Sequence, residues 1–302
     1  VTKPYDVICK AQDRELWLKE RNKGIGASDI AAVLGISPWS TPLKLWGEKT
    51  GMVPADEDNV SEAMEWGNRL EPLVADKFEE ETEREVYGGG VLIRSKEHPW
   101  MMATLDREQE STEHDSVGNL EIKTGSLSFE DKWSEGPPEY YYCQFQQQLA
   151  VTGHSWGSVA VLLGGRKFLW CDVERDEEKI GEIVEAGSKF WDLVTKEIAP
   201  MATADDKETL KLLFPEENDQ SIALEFDAIQ WDEELEDIKS RLKFLNAKKS
   251  TIENQFKQAI GENLFGLLPD GTSYSLKTTS VKESVVKRNA YSYRSLRRKA
   301  PR

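Results

Sequence analysis

Cysteine, positive charge and long apolar runs are all scarce in this 302-residue chain. Its three cysteines, Cys9, Cys143 and Cys171, are too few and too widely spaced for a disulfide framework or a four-thiolate metal cluster. The count also argues against an iron–sulfur centre and points to a reducing, cytosolic setting. Basic residues number 39 against 55 acids, a net charge of −16, which excludes a protein that coats nucleic acid by bulk charge. Any polyanion it binds must be met by a local basic surface or by metal ions. The apolar run Val159 to Leu163 is far short of the roughly 20 residues needed to span a bilayer. Val1 to Glu20 is interrupted by Lys3, Asp6, Lys10, Asp13 and Arg14, so neither a membrane span nor a signal peptide is expected. His98, His114 and His154 lack ligand-like spacing, which disfavours zinc.

What remains is 38% hydrophobic and 9% aromatic, with ten Trp, the composition of a packed chain rather than a disordered one. Asp13 to Leu34 reads as helix, glycine loop, helix, with Ser28 expected to cap the second helix and so create an anion site. Ser40-Thr41-Pro42 opens a short helix that runs to about Lys49. Ser61 to Glu81 carries Met64, Leu70, Val74 and Phe78 at helical spacing, with Pro72 as a kink or break. Strands are expected at 90–94, 101–106, 118–123, 158–163 and 167–173, and helices at 138–151 and 176–197. A first domain over 1–198, a linker over 199–206 and an extension over 207–302 follow. In the extension, Leu235, Ile238, Leu242, Leu245, Ile252, Phe256 and Ala259 keep a heptad interrupted by Lys249, as in a coiled coil or helical hairpin. A small hairpin around Pro269-Asp270-Gly271 comes next, then a basic tail with Lys282, Lys287, Arg288, Arg294, Arg297, Arg298, Lys299 and Arg302.

The strongest chemical signal is Leu120-Glu121-Ile122-Lys123. On a strand, Glu121 and Lys123 share one face while Leu120 and Ile122 enter the core. A carboxylate beside an ammonium suits metal-assisted phosphodiester hydrolysis, and Asp106 at the end of the preceding strand offers a second oxygen ligand. Two carboxylates, a main-chain carbonyl and waters are what Mg²⁺ accepts. An acid two residues before a lysine also occurs at Glu130, Glu177, Asp205 and Asp237, so the spacing by itself also fits a surface ion pair.

The segments Arg21 to Ser28, Glu65 to Glu71, Ala103 to Asp106, Leu120 to Lys123 and Tyr142 to Gln146 occur in that order. Together, over about residues 13 to 197, they resemble the YqaJ-type viral recombinase nucleases, relatives of phage lambda exonuclease in the PD-(D/E)XK superfamily. The resemblance implies an α/β fold, a mixed sheet flanked by helices. It implies a Mg²⁺-dependent exonuclease, with Mn²⁺ as a substitute, that degrades linear double-stranded DNA from a 5′ end and leaves a 3′ overhang for a single-strand annealing protein. It assigns the metal to Asp106, Glu121 and the Ile122 carbonyl, with Glu71 as the helix-borne acid beside a second metal or the water. Lys123 becomes the active-site lysine and Gln144 the glutamine that supports the lysine or the water. Arg21, Ser28 and Thr104 become contacts to phosphate or DNA. Thr104 keeps the small hydroxyl residue usual in the family, whereas Leu105 stands in place of the Pro usual before this Asp. A homo-oligomer, a trimeric ring by resemblance, and a bacterial host cytoplasm with phage or prophage origin complete the expectation.

Each residue keeps a simpler reading: Glu71 as a solvated helix charge, Ser28 as a cap alone, Gln144 as one polar residue among Gln146, Gln147 and Gln148, Arg21 as one half of an ion pair. Trp39, Trp46 and Trp66 fit packing better than base stacking. Two rival functions remain open: a structure- or sequence-specific endonuclease of the same superfamily, and a non-catalytic DNA-binding scaffold using the coil and the tail, where Tyr291 and Tyr293 lie among arginines.

Overall fold

A computed structural model describes residues 3–54 and 61–280. The basic tail from Lys282 to Arg302 lies outside the described residues. The chain divides into two units, Val1–Pro215 and Glu216–Arg302.

The first unit is built on two sheets. A five-stranded mixed sheet has the order β3 (Glu85–Tyr87), β6 (Arg107–Ser111), β7 (His114–Gly125), β8 (Trp156–Leu163), β9 (Lys167–Glu174). Only β7 and β8 run parallel in it. A four-stranded sheet has the order β1 (Tyr5–Lys10), β4 (Val91–Ser95), β5 (Met101–Leu105), β2 (Ile25–Gly26). Helix α4 (Glu62–Thr82) lays Val74 and Phe78 on Leu120, Ile122 and Ala160 of the five-stranded sheet. From the opposite face, α5 (Glu139–Thr152) packs Phe145 and Leu149 on Val159 and Val173. Because neighbouring strand residues face opposite ways, the turn from Leu120 to Glu121 is a turn from the α4 side to the α5 side. Helix α5 also contacts β4 and β5, so it lies between the two sheets.

Local chemistry explains the boundaries. Asp13, Thr41, Ser61 and Asp176 accept main-chain N–H bonds at the starts of α1 (Arg14–Arg21), α3 (Pro42–Thr50), α4 and α6 (Glu177–Thr195). Pro72 sits inside α4, which remains one continuous helical element. Ser28 does not cap α2 (Ile30–Val33): it lies within a 3-10 turn, Ala27–Asp29, where Asp29 Oδ2 accepts the Gly26 N–H instead at 3.1 Å. With only four residues, α2 also has too small a dipole to make the anion site expected at its start.

The stretch expected as a linker belongs to the first unit. Asp206 is fully buried and accepts from the Thr41 hydroxyl and from the Thr203 N–H and hydroxyl, the latter two at 2.7 and 2.8 Å. This seats α7 (Lys207–Leu213) against α3, with Leu213 on the main core. The second unit holds α8 (Asp227–Ile260) and the hairpin β10 (Phe265–Leu267) with β11 (Ser273–Ser275). Among the described residues no helix is long and apolar enough to cross a membrane. All three cysteines are free thiols.

Candidate active site

Strand β6 stops pairing with β7 at Arg107 opposite Leu120, which leaves the next part of β7 with an open edge. The Asp106 carboxylate closes that edge: its Oδ2 accepts the Ile122 N–H at 2.8 Å. Within a strand, N–H and C=O of one residue point to the same edge. The Ile122 carbonyl therefore emerges on the Asp106 side, as the expected ligand set requires.

Glu121 lies on the α5 face and is buried. Its Oε1 accepts from Lys123 Nζ and from Gln144 Nε2, each at 2.5 Å, and its Oε2 accepts from Gln148 Nε2 at 2.6 Å. Gln144 and Gln148 stand one helical turn apart, so α5 offers two amides to one carboxylate. Gln144 and Lys123 thus meet at the same Glu121 oxygen. Lys123 also sits over the Tyr141 ring, 4.8 Å from its centroid.

The electrostatics are those of crowded acids. Burial, and then the charge of Glu121, push the Asp106 carboxyl well above the usual carboxylate range, and Glu71 adds to this against the opposing Lys123 charge. Burial would lower the Lys123 ammonium, but Glu121 and then Asp106 outweigh it and hold the group above its ordinary value. Lys123 is therefore a cation at neutral pH.

Glu71, on α4, pairs with Arg107 at 2.6 Å, and Arg107 also donates to the Asp106 carbonyl. Arg21 donates to the Ser28 hydroxyl at 2.8 Å and pairs with Asp29 at 2.6 Å, while Lys49 reaches the same Asp29 at 2.8 Å. Asp29 is held down to about 2: burial would raise it, but Arg21 and Lys49 outweigh burial. The Thr104 hydroxyl accepts from Trp17 Nε1 at 3.1 Å, and the Arg21 guanidinium lies 5.1 Å from the Trp17 ring.

One cleft of about 920 Å³ is lined by Arg21, Ser28, Glu71, Thr104, Asp106, Glu121, Lys123 and Gln144, and Ile122 lines an adjoining cavity of about 690 Å³. The residues singled out from the sequence are thus brought together. Lys23, in the glycine loop, pairs with Glu20 at 2.5 Å on the surface. Gln148, Arg107, Asp29, Lys49 and Trp17 were not foreseen. Only Gln148 left a signal, its spacing of four from Gln144. Trp39, whose ring meets those of Tyr140 and Tyr141, stands exposed at the rim of the smaller cavity.

The family model of the YqaJ-like viral recombinase domain matches residues 16–155. The uncharacterized protein YqaJ of Bacillus subtilis (strain 168) is 35% identical over 279 residues, covering 88% of this chain and 85% of that protein. The chain belongs to the YqaJ-like viral recombinase family. Among solved structures, an alkaline exonuclease (LHK-Exo) from Laribacter hongkongensis superposes with a TM-score of 0.51 at 24% identity, over 61% of this chain and 94% of that one. Its complex with dAMP superposes with the same score and identity over 65% and 96%. This family member therefore shares the fold of that alkaline exonuclease.

That family implies a divalent metal. Among the described residues no three His, Cys, Asp or Glu side chains converge as an all-protein cage. The donors present still fit a hard cation. Asp106 is a carboxylate whose charge is disfavoured by its surroundings, beside a second carboxylate and a main-chain carbonyl, and Mg²⁺ takes one or two carboxylates while keeping several waters.

Proposed function

We propose that this chain is a Mg²⁺-dependent exonuclease that hydrolyses one strand of linear duplex DNA from the 5′ end and leaves a 3′ overhang for an annealing protein. The observation that carries the reading is the sharing of one cleft by two chemistries: the Asp106, Glu121 and Lys123 group, and the Arg21 and Ser28 pair, with Asp29 and Lys49 paired to Arg21 behind the cleft wall. Asp106, Glu121 and the Ile122 carbonyl would hold the ion. When bound, it supplies Lewis-acid stabilisation of the phosphoryl oxygens and a more acidic water.

The chain's own residues do the rest. Lys123, kept protonated by the acids beside it, offsets negative charge developing on the phosphate and orients the attacking water rather than taking its proton. Gln144 and Gln148 fix the Glu121 carboxylate in one orientation, as outer hydrogen bonds do for metal ligands. Glu71 stands ready at the cleft wall as the acid beside the water once Arg107 engages DNA. Arg21 and Lys49 carry two positive charges against one on Asp29, so their pocket retains a net positive charge suited to a terminal 5′ phosphate. Such a local basic site reconciles polyanion binding with a net charge of −16.

The deciding experiment digests a 5′-phosphorylated linear duplex, a 5′-hydroxyl duplex and covalently closed circles, with and without a chelator. The linear 5′-phosphate substrate is expected to shorten from its 5′ ends, the 5′-hydroxyl one more slowly, the circles not at all, and Asp106→Asn to abolish the reaction. Cleavage of the circles would transfer the reading to an endonuclease. Unaltered DNA with every divalent ion tried would leave a binding scaffold.

A further inference from the structure

Helix α8 has an apolar seam that its own unit leaves largely uncovered. Near its C-terminal end the hairpin covers it: Phe256 stacks on Tyr274 with ring centroids 4.2 Å apart, and Ile260 is buried against β10. Upstream, Trp231, Leu235, Ile238, Leu242, Leu245 and Ile252 occupy successive core positions of the heptad and are 39% to 56% exposed. From Asp227 to Asp237 the helix carries six acids and no base, and from Lys239 to Lys257 six bases and one acid. Within the helix, Lys239 pairs with Glu236 and Arg241 with Asp237, both at 2.8 Å where the two halves meet, and Lys249 with Glu253 at 3.4 Å.

We propose that α8 pairs antiparallel with the α8 of a second copy of this chain. Charge selects the orientation. A parallel pair would stack acid on acid and base on base, whereas an antiparallel pair lays each acidic half along a basic half. The seam then selects the register. Setting Ile238 opposite Leu242 of the second copy also sets Leu235 opposite Leu245 and Ala228 opposite Ile252, each pair one a and one d position. The same register places Lys249, the one polar interruption of the seam, opposite Trp231, where an ammonium can rest on an indole face. It aligns the centres of the acidic and basic halves as well. The paired segment, from Ala228 to Ile252, is about 37 Å long at 1.5 Å per residue. It ends where the chain's own hairpin takes over the seam. Apolar layers, charge and the Trp–Lys contact thus agree on a single register.

The test uses the full chain. By light scattering on a sizing column at micromolar concentration, the native protein is expected to have at least twice the mass of Leu242→Glu, with equal far-UV circular dichroism. A second variant, Lys239→Glu/Lys243→Glu/Lys248→Glu, changes only exposed positions and is expected to weaken association at least tenfold. For orientation, Leu235→Cys and Leu245→Cys chains, one carrying a size tag, are mixed and oxidised. Mixed-size disulfide dimers are expected, with each variant alone giving none beyond the native background. Equal masses for the native chain and both variants would overturn the pairing. Self-linking of Leu235→Cys alone would overturn the antiparallel register. Neither result depends on nuclease activity, so this inference and the proposed function fail separately.

Discussion

At the residue scale, two buried acids respond to their surroundings in opposite directions. Asp106 is raised, so in the metal-free chain the folded state holds its proton more tightly than the unfolded state does. Its ionisation as pH rises past the ordinary carboxylate range therefore costs stability. Asp106→Asn keeps the acceptor for the Ile122 N–H and removes the charge. Without metal at pH 7.5 it is expected to melt at least as high as the native protein, while losing all nuclease activity and the metal-induced rise in melting temperature. Asp29 runs the other way. Held down to about 2 by Arg21 and Lys49 against the cost of burial, it contributes stability that is present above the unfolded value of 3.8 and is lost as pH falls through about 2. Asp29→Asn strands two cations in partial burial, and urea unfolding at pH 7 should show a loss of about 3 kcal/mol. The gap from the native protein should narrow as the buffer is taken below about pH 3.5.

At the element scale, the site depends on where strands stop. Asp106 serves as a ligand candidate because β6 ends its pairing at Arg107 and leaves an N–H on β7 for a side chain to satisfy. The connection from β3 to β4 passes directly against it. Gly89 has φ +98, and a Cβ there would stand 1.8 Å from the Asp106 carbonyl oxygen. Only glycine permits both that backbone conformation and that approach. Gly89→Ala is expected to cost about 1–3 kcal/mol and to depress activity more than stability, because the atom displaced belongs to Asp106. A thermal melt alongside a nuclease rate at a temperature where the variant stays folded would separate the two effects. Helix α5 works in the same local way, presenting Gln144 and Gln148 to Glu121 while Gln147 donates to the carbonyls of Ile25 and Met102 at 2.9 Å, tying the helix to β2 and β5.

At the scale of the whole molecule, the first unit is closed by Asp206 and α7 rather than ending before them. A chain stopped at Pro215 is expected to keep the native melting temperature of that unit within a few degrees, and one stopped at Ile198 to lose about 1–3 kcal/mol, the cost of leaving Thr41 and the α3 face unpartnered. Paired thermal melts decide it. The sequence by itself determined the helices with capping residues at their starts, the alternation through Leu120-Glu121-Ile122-Lys123, the heptad of α8 and the family motifs, because each is a short-range pattern set by backbone geometry and side-chain size. It did not reveal β6, whose Arg-Glu-Gln-Glu-Ser has no apolar face and is a strand only because β3 and β7 flank it. Nor did it reveal that Ser28 accepts from Arg21 instead of capping a helix, that Arg107 engages Glu71, or that Asp29 meets Lys49. Those contacts join residues whose partners lie on other elements, and only the packing of two sheets around α5 decided which charges would meet in the cleft.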